Sequence, residues 1–323
     1  MILPAVQHIA KHILRHLADH SQRPLFVAVQ GPQGSGKSFL TGLVHSYLSD
    51  EPHRLRVASL SIDDLYLPHD GLKDLAETHP QNPLWRGRGQ PGTHDVALGM
   101  ELLKSLKSGV KEVEIPRFEK SLFNGEGDRL PLDGSGVVVK PPLDVIIMEG
   151  WCNGFYPISR EELEKRWNGV WKDVKDSLKM DDGIVGTREN VEEVNDALFS
   201  YVDLWSFFDV FVQIKPDSSE TSTPYPIVYK WRLEQEHGMK ARNGGKGMTD
   251  AAVKLFVDRY IPGYVFFGDG ISQGYVGGKS EPTGDRSTGG TVPQSEPASP
   301  HWLGKSIRLV IDEQREVVEI EHF

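Results

Sequence analysis

The chain has 323 residues, 38% of them hydrophobic and 25% charged, enough for one large domain with a sizeable core. Its 36 Lys and Arg against 46 Asp and Glu leave a formal charge of −10. That excludes nucleic-acid binding through a bulk positive field, though not a local cationic patch for a small anion. Cys152 is the single cysteine, so neither an intrachain disulfide nor a cysteine-based zinc site can form. No run approaches the 18 apolar residues of a membrane helix, and Lys11, Arg15 and Asp19 interrupt any secretory h-region. A cytoplasmic protein with no membrane partner is expected, with the nucleus left open.

Val6, Ile9, Ile13, Leu14 and Leu17 predict a helix over Pro4–His20. The same segment carries His8, His12, His16 and His20, four apart. Imidazoles one turn apart can share a metal ion, but this stripe drifts about 40° per step and no carboxylate completes a shell. A partly solvated face is expected instead. Leu25–Val29 is an unbroken apolar run suited to a strand buried on both faces. A glycine-rich turn follows, then a helix from Lys37 to about Leu48 and a second buried strand over Val57–Ile62. Asp95–Leu106 is an amphipathic helix with Thr93 or Asp95 as its cap. Val113–Ile115 and Val137–Val139 read as two short strands joined by a polar excursion. Val145–Met148 and Val210–Ile214 are further buried strands. Helical patterns fill Arg160–Trp171, Val191–Phe207, Val228–Lys240 and Asp250–Tyr260. Ile307–Ile311 and Val317–Ile320 close the chain as a hairpin or an edge strand. Strands alternating with helices imply an α/β fold with a mostly parallel sheet, built as one domain over residues 1–323. Gly268–Pro300 is rich in Gly, Ser, Thr and Pro, and a disordered loop is expected there. It contains Gly277-Gly278-Lys279-Ser280, which no strand precedes and which is not taken as phosphate-binding.

Gly31-Pro32-Gln33-Gly34-Ser35-Gly36-Lys37-Ser38 fits the phosphate-loop pattern G-x-x-x-x-G-K-[ST] at every fixed position, between a buried strand and a helix. Its glycines let backbone N–H groups turn inward around a β-phosphate, and the helix N-terminus adds its dipole. Lys37 suits the β- and γ-oxygens, and Ser38 offers its hydroxyl to Mg²⁺. ATP or GTP binding over Gly31–Ser38, with Phe39 following, is the expectation.

Three later segments point to phosphoryl transfer. Ser61-Ile62-Asp63-Asp64-Leu65-Tyr66 ends a strand in two carboxylates, either of which could take a substrate proton. Val145-Ile146-Ile147-Met148-Glu149-Gly150 is an apolar strand ending in an acid, the form expected of a magnesium-supporting carboxylate. Trp231–Arg242 is a basic helix running into Gly244-Gly245-Lys246-Gly247, suited to a mobile cover over phosphates.

In this order the motifs resemble the uridine kinase, phosphoribulokinase and pantothenate kinase group of P-loop kinases, and within it the D-glycerate 3-kinase family with its fungal kinase-like relatives. The segments carrying the resemblance include Arg86–Asp95, Ile115–Ser121, Gly127–Arg129, Glu149–Trp151, Val228–Glu236, Gly247–Asp250 and Phe256–Tyr264. The resemblance implies a parallel sheet flanked by helices, with a helical lid and a small substrate hairpin. It also implies ATP and Mg²⁺ as cofactors and D-glycerate as acceptor. Asp63 becomes the catalytic base, Lys37 and Arg232 act on the transferred phosphate, and Ser38 and Glu149 take the metal side. Tyr66, Arg86, Arg88, Arg117, Lys120 and Arg129 fall in segments placed around the acceptor, where a bidentate arginine best holds a carboxylate. Two positions depart from the family pattern: Glu119 stands where Asp is usual, and Glu126 where Arg is usual. Another small hydroxylated metabolite as acceptor, or a nucleotide-binding regulator with little turnover, are the alternatives.

Overall fold

The computed structural model describes residues 2–219, 223–242, 244–276 and 299–323. Its strands are β1 (Leu25–Gln30), β2 (Val57–Ser61), β3 (Val113–Ile115), β4 (Phe118–Glu119), β5 (Asp128–Arg129), β6 (Val137–Val139), β7 (Val145–Gly150), β8 (Val210–Pro216), β9 (Ser306–Ile311) and β10 (Val317–His322). Six of them form one sheet in the order β10-β9-β8-β1-β7-β2. All its neighbours run parallel except β10, which turns back antiparallel on β9. β3 pairs with β6, and β4 with β5, as two small antiparallel ribbons beside the sheet.

The unbroken apolar runs of β1 and β7 are buried along their whole length because both sheet faces are covered. Leu25, Val27, Val29, Val145 and Ile147 face the Pro4–Asp19 and Lys37–Ser49 helices. Phe26, Ala28, Ile146 and Met148 face the larger core, filled by the Val96–Ser108, Arg188–Trp205 and Ile261–Phe267 helices. At the opposite edge from the glycine-rich turn, the buried Asp144 carboxylate ties the strand starts together. It accepts the Arg56 backbone N–H and Nε at 2.9 Å each and Nη2 at 3.0 Å, and also pairs with Arg23.

His12 lies buried against Lys305, 3.1 Å from its carbonyl oxygen, with the His16 ring 4.6 Å away. Burial lowers its pKa to about 4, so it stays neutral. Among the described residues no group of three or more His, Cys, Asp or Glu is placed to hold a metal ion.

Several elements differ from expectation. The helix from Arg160 stops at Arg166, passes through a wide turn at Trp167–Trp171 where Gly169 leaves helical geometry (φ −109°, ψ −109°), and resumes over Lys172–Leu178. The long helix before β8 starts at Arg188 because Thr187 and Asn190 form a reciprocal cap. His69–Thr78 and Ile261–Phe267 are helices that no long periodic pattern announces. The structureless loop expected from Gly268 does not begin there. Gly270–Gln273 is a helical turn, Ile271 is fully buried, and Val276 bridges Ile158. The remainder, with Gly277–Ser280, lies in residues 277–298, outside the described residues. No helix among the described residues is long and apolar enough to cross a membrane.

Candidate active site

Parallel pairing sets Val29 and Ser61 on either side of Glu149, so the ends of β1, β7 and β2 lie side by side. This carboxyl edge is where open α/β sheets take their ligands. Here the chain leaves β1 through Gly31–Gly36 and enters the Lys37–Ser49 helix. Gly34 and Gly36 have φ of +75° and +84°, the left-handed region that favours glycine. At Gly34 space also demands it, since a Cβ would stand 2.6 Å from Trp231 Cβ and 2.7 Å from the Trp231 carbonyl carbon.

Neighbours hold this loop from several sides. Trp231, in the Tyr225–Arg242 helix, is fully buried and donates its indole N–H to the Glu313 carbonyl at 2.8 Å. Arg315, on the β9–β10 turn, donates Nε to the Gly34 carbonyl at 2.8 Å and lies 5.4 Å over the Trp231 ring. The Gln33 N–H donates to the Tyr264 hydroxyl at 3.2 Å. The Ser35 hydroxyl and Gln33 Oε1 remain buried without partners. An N-terminal helix dipole beside the left-handed turns at Gly34 and Gly36 and the unpartnered Ser35 hydroxyl is an anion cradle. Phe39 follows, 64% exposed.

Ser38 Oγ donates to Glu149 Oε1 at 2.9 Å, while Glu149 Oε2 is buried with no partner. A hydroxyl and a carboxylate oxygen with free capacity are hard donors of the kind magnesium takes, with water and phosphate completing its shell.

Asp63 and Asp64 occupy a tight turn (Ile62–Leu65) after β2, where Ser61 Oγ accepts the Asp63 N–H at 3.2 Å. Their surroundings split them. Burial alone would raise the Asp63 carboxyl, but the ammonium groups of Lys120 and Lys37 override it and hold it well below the usual carboxylate range. Lys120 Nζ donates to Asp63 Oδ2 at 2.5 Å. Asp64 lacks such a partner. Burial, with Asp63 and Glu149 close by, pushes it up to about 6 although it accepts the Phe118 N–H at 3.0 Å. Asp63 is therefore the ionised acid that faces the loop lysine, and Asp64 fastens β4.

The acceptor-side candidates separate by what they already touch. Arg117 is exposed and pairs with Glu119 at 2.9 Å. Arg129 pairs with Asp95 at 2.9 Å, and Asp95 also caps the Val96–Ser108 helix, so Arg129 pins the small ribbon to that helix. Arg86 is exposed and donates to the Pro80 carbonyl at 3.3 Å. Lys120 is on Asp63. Among the described residues Arg88 has no carboxylate partner: it donates to the Gly125 carbonyl at 2.8 Å and to that of Glu126, and lies 5.6 Å over the Phe118 ring. Tyr66 is buried, stacked 4.3 Å on His94 and hydrogen-bonded to the Tyr260 phenol. Burial lowers His94 to about 4 against the pull of Asp63, so this ring is neutral.

The two departures from the family pattern are taken up locally. Glu119 accepts from Ser121 Oγ at 2.7 Å and from Arg117, and Glu126 meets His69 Nε2 at 2.7 Å. The basic helix packs against the phosphate loop. Trp231 anchors it against the loop, and Arg232 pairs with Glu236 at 2.9 Å while lying 5.3 Å over Phe256. Glu236 is itself buried and accepts the Met248 N–H at 2.7 Å.

Sequence reasoning passed over Arg259, Tyr260, Tyr264 and Arg315. The first three lie in Phe256–Tyr264, whose resemblance to the family was a usable signal; Arg315 had none. An open cleft of about 610 Å³ lined by Gln7, Lys11, Leu14, Arg15 and Tyr47 contains none of the groups described above.

No protein-family model matches the chain. It is similar to a solved D-glycerate 3-kinase from Cryptococcus neoformans, with 38% identity and a TM-score of 0.81, over 98% of this chain and 99% of that one. A probable ATP-dependent kinase of Saccharomyces cerevisiae is 34% identical over 274 residues, 81% of this chain and 84% of that protein. The chloroplastic D-glycerate 3-kinase of Arabidopsis thaliana is 34% identical over 244 residues, which take in 75% of this chain and 47% of the plant protein. With the phosphate loop, the parallel sheet and the paired acids at its carboxyl edge, the chain belongs to the D-glycerate 3-kinase family of ATP-dependent P-loop kinases.

Proposed function

We propose that the chain transfers the γ-phosphoryl group of ATP to the 3-hydroxyl of D-glycerate, giving 3-phosphoglycerate and ADP. The observation that carries the reading is the ionised Asp63 beside Lys37 and Lys120, with Arg88 close by and unpaired with any carboxylate among the described residues. Likeness to the Cryptococcus D-glycerate 3-kinase over almost the whole of both chains supports the choice of acceptor.

In this reading Gly31–Ser38 hold the ATP phosphates and Lys37 meets the β- and γ-oxygens. Ser38 and Glu149 hold the magnesium ion, which when bound neutralises phosphate charge. Asp63 takes the acceptor's hydroxyl proton on a carboxylate oxygen as that hydroxyl oxygen bonds to the γ-phosphorus. The bond from phosphorus to the β,γ-bridging oxygen breaks, and ADP leaves with its electron pair. Lys120 must first release Asp63; with the ammonium withdrawn, burial makes the carboxylate a stronger base. Arg232, freed from Glu236, supports charge on the transferring group. Glu119 and Glu126 are engaged by Ser121, Arg117 and His69, so the departures in the ribbon give no ground for a different acceptor. A reducing compartment such as the cytoplasm suits the single, buried Cys152.

The test is product identity. Protein incubated with Mg·ATP and D-glycerate should give a ³¹P signal of 3-phosphoglycerate. A phosphoester at the 2-position, or none while a different hydroxylated acid is phosphorylated, overturns the assignment.

A further inference from the structure

Arg259 lies beside this site, and the sequence reading gave it no role. It follows the Asp250–Asp258 helix and is half-buried where the Arg86–His94 loop crosses that helix end. Its Nη1 donates to the Arg86 carbonyl, and its guanidinium lies 5.7 Å over the Phe256 ring. The loop passes it at van der Waals distance. Gly87 has φ +101°, and a Cβ there would stand 3.7 Å from Arg259 Nη1; one at Gly89 would stand 3.0 Å from the Tyr260 hydroxyl. The groups that interact electrostatically with Arg259 are Tyr260, Tyr66 and Arg88, and none is a carboxylate. Tyr260 in turn feels Asp63 and Arg88, and Lys120 feels Arg88, so one patch joins both arginines to the proposed base.

Two guanidiniums in one patch, partly out of water and with no acid paired to either among the described residues, are a costly arrangement. Burial lowers the Arg259 pKa, and Arg88 adds to this against the opposite pull of Tyr260 and Tyr66. Among the described residues the other buried or half-buried arginines are matched, among them Arg166 to Asp269 and Glu162, Arg129 to Asp95 and Arg308 to Glu321.

We infer that Arg259, acting with Arg88, holds the carboxylate of the acceptor and so makes the site selective for hydroxy acids over neutral polyols. This rests on the proposed D-glycerate phosphorylation and adds a residue and a selectivity to it. The planar fork of one guanidinium takes both carboxylate oxygens while the second closes from the side, and the hydroxyl end is left toward Asp63. The Tyr66 and Tyr260 phenols border the same patch; Tyr66 donates to Tyr260, whose own O–H is left as a further donor.

The experiment compares wild type, Arg259→Lys and Arg259→Ala with Mg·ATP and two acceptors, D-glycerate and its uncharged amide, D-glyceramide, following ADP release. Wild-type turnover of D-glycerate is established first; its failure counts against the proposed function, not against Arg259. Given that turnover, Arg259→Ala should raise the KM for D-glycerate ten- to a hundred-fold and leave the KM for ATP within about twofold. Arg259→Lys keeps the charge and loses the fork, and should fall between. kcat/KM for D-glyceramide should be low and nearly the same in all three proteins. Equal losses on both acceptors would assign Arg259 to holding the Arg86–His94 loop and overturn the proposal, as would an unchanged KM for D-glycerate. Should Arg259→Ala melt well below wild type, the lysine variant, which retains the stem over Phe256, decides by the same ratio.

Discussion

Replacing Gly34 by alanine tests how the phosphate loop is held. Alanine at φ +75° costs about 1–2 kcal/mol for the left-handed backbone alone. Its Cβ would also meet Trp231 Cβ at 2.6 Å, the Trp231 carbonyl carbon at 2.7 Å and the Arg232 nitrogen at 2.9 Å. Two of these are backbone atoms of a helix anchored by a fully buried tryptophan, so nothing flexible can yield. Overpacking of this kind costs about 1–3 kcal/mol. Together the two effects come to about 2–5 kcal/mol, and the cheapest relief is to lift the loop away from Trp231. Mg·ATP affinity, measured by calorimetry, should then fall by at least tenfold, and the melting temperature by several degrees. Two nearby glycines calibrate the result. Gly36 has φ +84° but only the Arg315 Cδ within reach at 3.8 Å, so Gly36→Ala should cost only the backbone part. Gly42 is an ordinary helical position with open space around its Cβ, so Gly42→Ala should stabilise by about 0.5–1 kcal/mol. Wild-type ATP affinity and melting temperature in Gly34→Ala would refute the packing argument.

Asp64 and Asp144 give opposite pH signatures. The folded pKa of Asp64, about 6, lies above its unfolded value, so its contribution to stability is present below the unfolded pKa and lost as pH rises through 6. Asp64→Asn should therefore gain about 1–3 kcal/mol on wild type between pH 4 and pH 7, read from paired urea melts; a difference that does not change with pH would contradict this. Asp144 is held below the usual range first by its Arg56 hydrogen bonds, against burial, with Arg23 adding to it. Its contribution is present above the unfolded pKa and lost as pH falls through the folded one. Asp144→Asn should destabilise by about 2–3 kcal/mol at pH 7, and that loss should shrink only below pH 4. A loss that vanishes by pH 5.5 would mean the carboxylate is not held as described.

The cradle and the sheet were legible in the sequence because each rests on local chemistry. The runs Leu25–Val29 and Val145–Met148 have no polar break, and Gly31–Ser38 states its own function. The acids were legible for the same reason, being strand ends at the edge where ligands bind. What could not be read was how charges pair across distant segments. Arg129 and Arg88 look alike in sequence, but Asp95 neutralises one and no carboxylate among the described residues meets the other. Arg315 reaches Gly34 across 281 positions from a turn with no motif. The basic helix reads as a free cover until the volume of Trp231 is found against Gly34. Helix boundaries erred where one residue decides them: Gly169 opens a turn inside a periodic stretch, and the Thr187–Asn190 cap starts the next helix early.

The central claim is that Asp63 carries D-glycerate-dependent phosphoryl transfer. The most direct measurement is steady-state ADP release with Mg·ATP, with and without D-glycerate, from wild type and from Asp63→Asn. The account predicts strong stimulation by D-glycerate in wild type. In Asp63→Asn it predicts a loss of at least a hundredfold in kcat, with ATP affinity unchanged within about threefold. Stimulation that survives in Asp63→Asn, or wild type that binds ATP yet ignores D-glycerate, would contradict it.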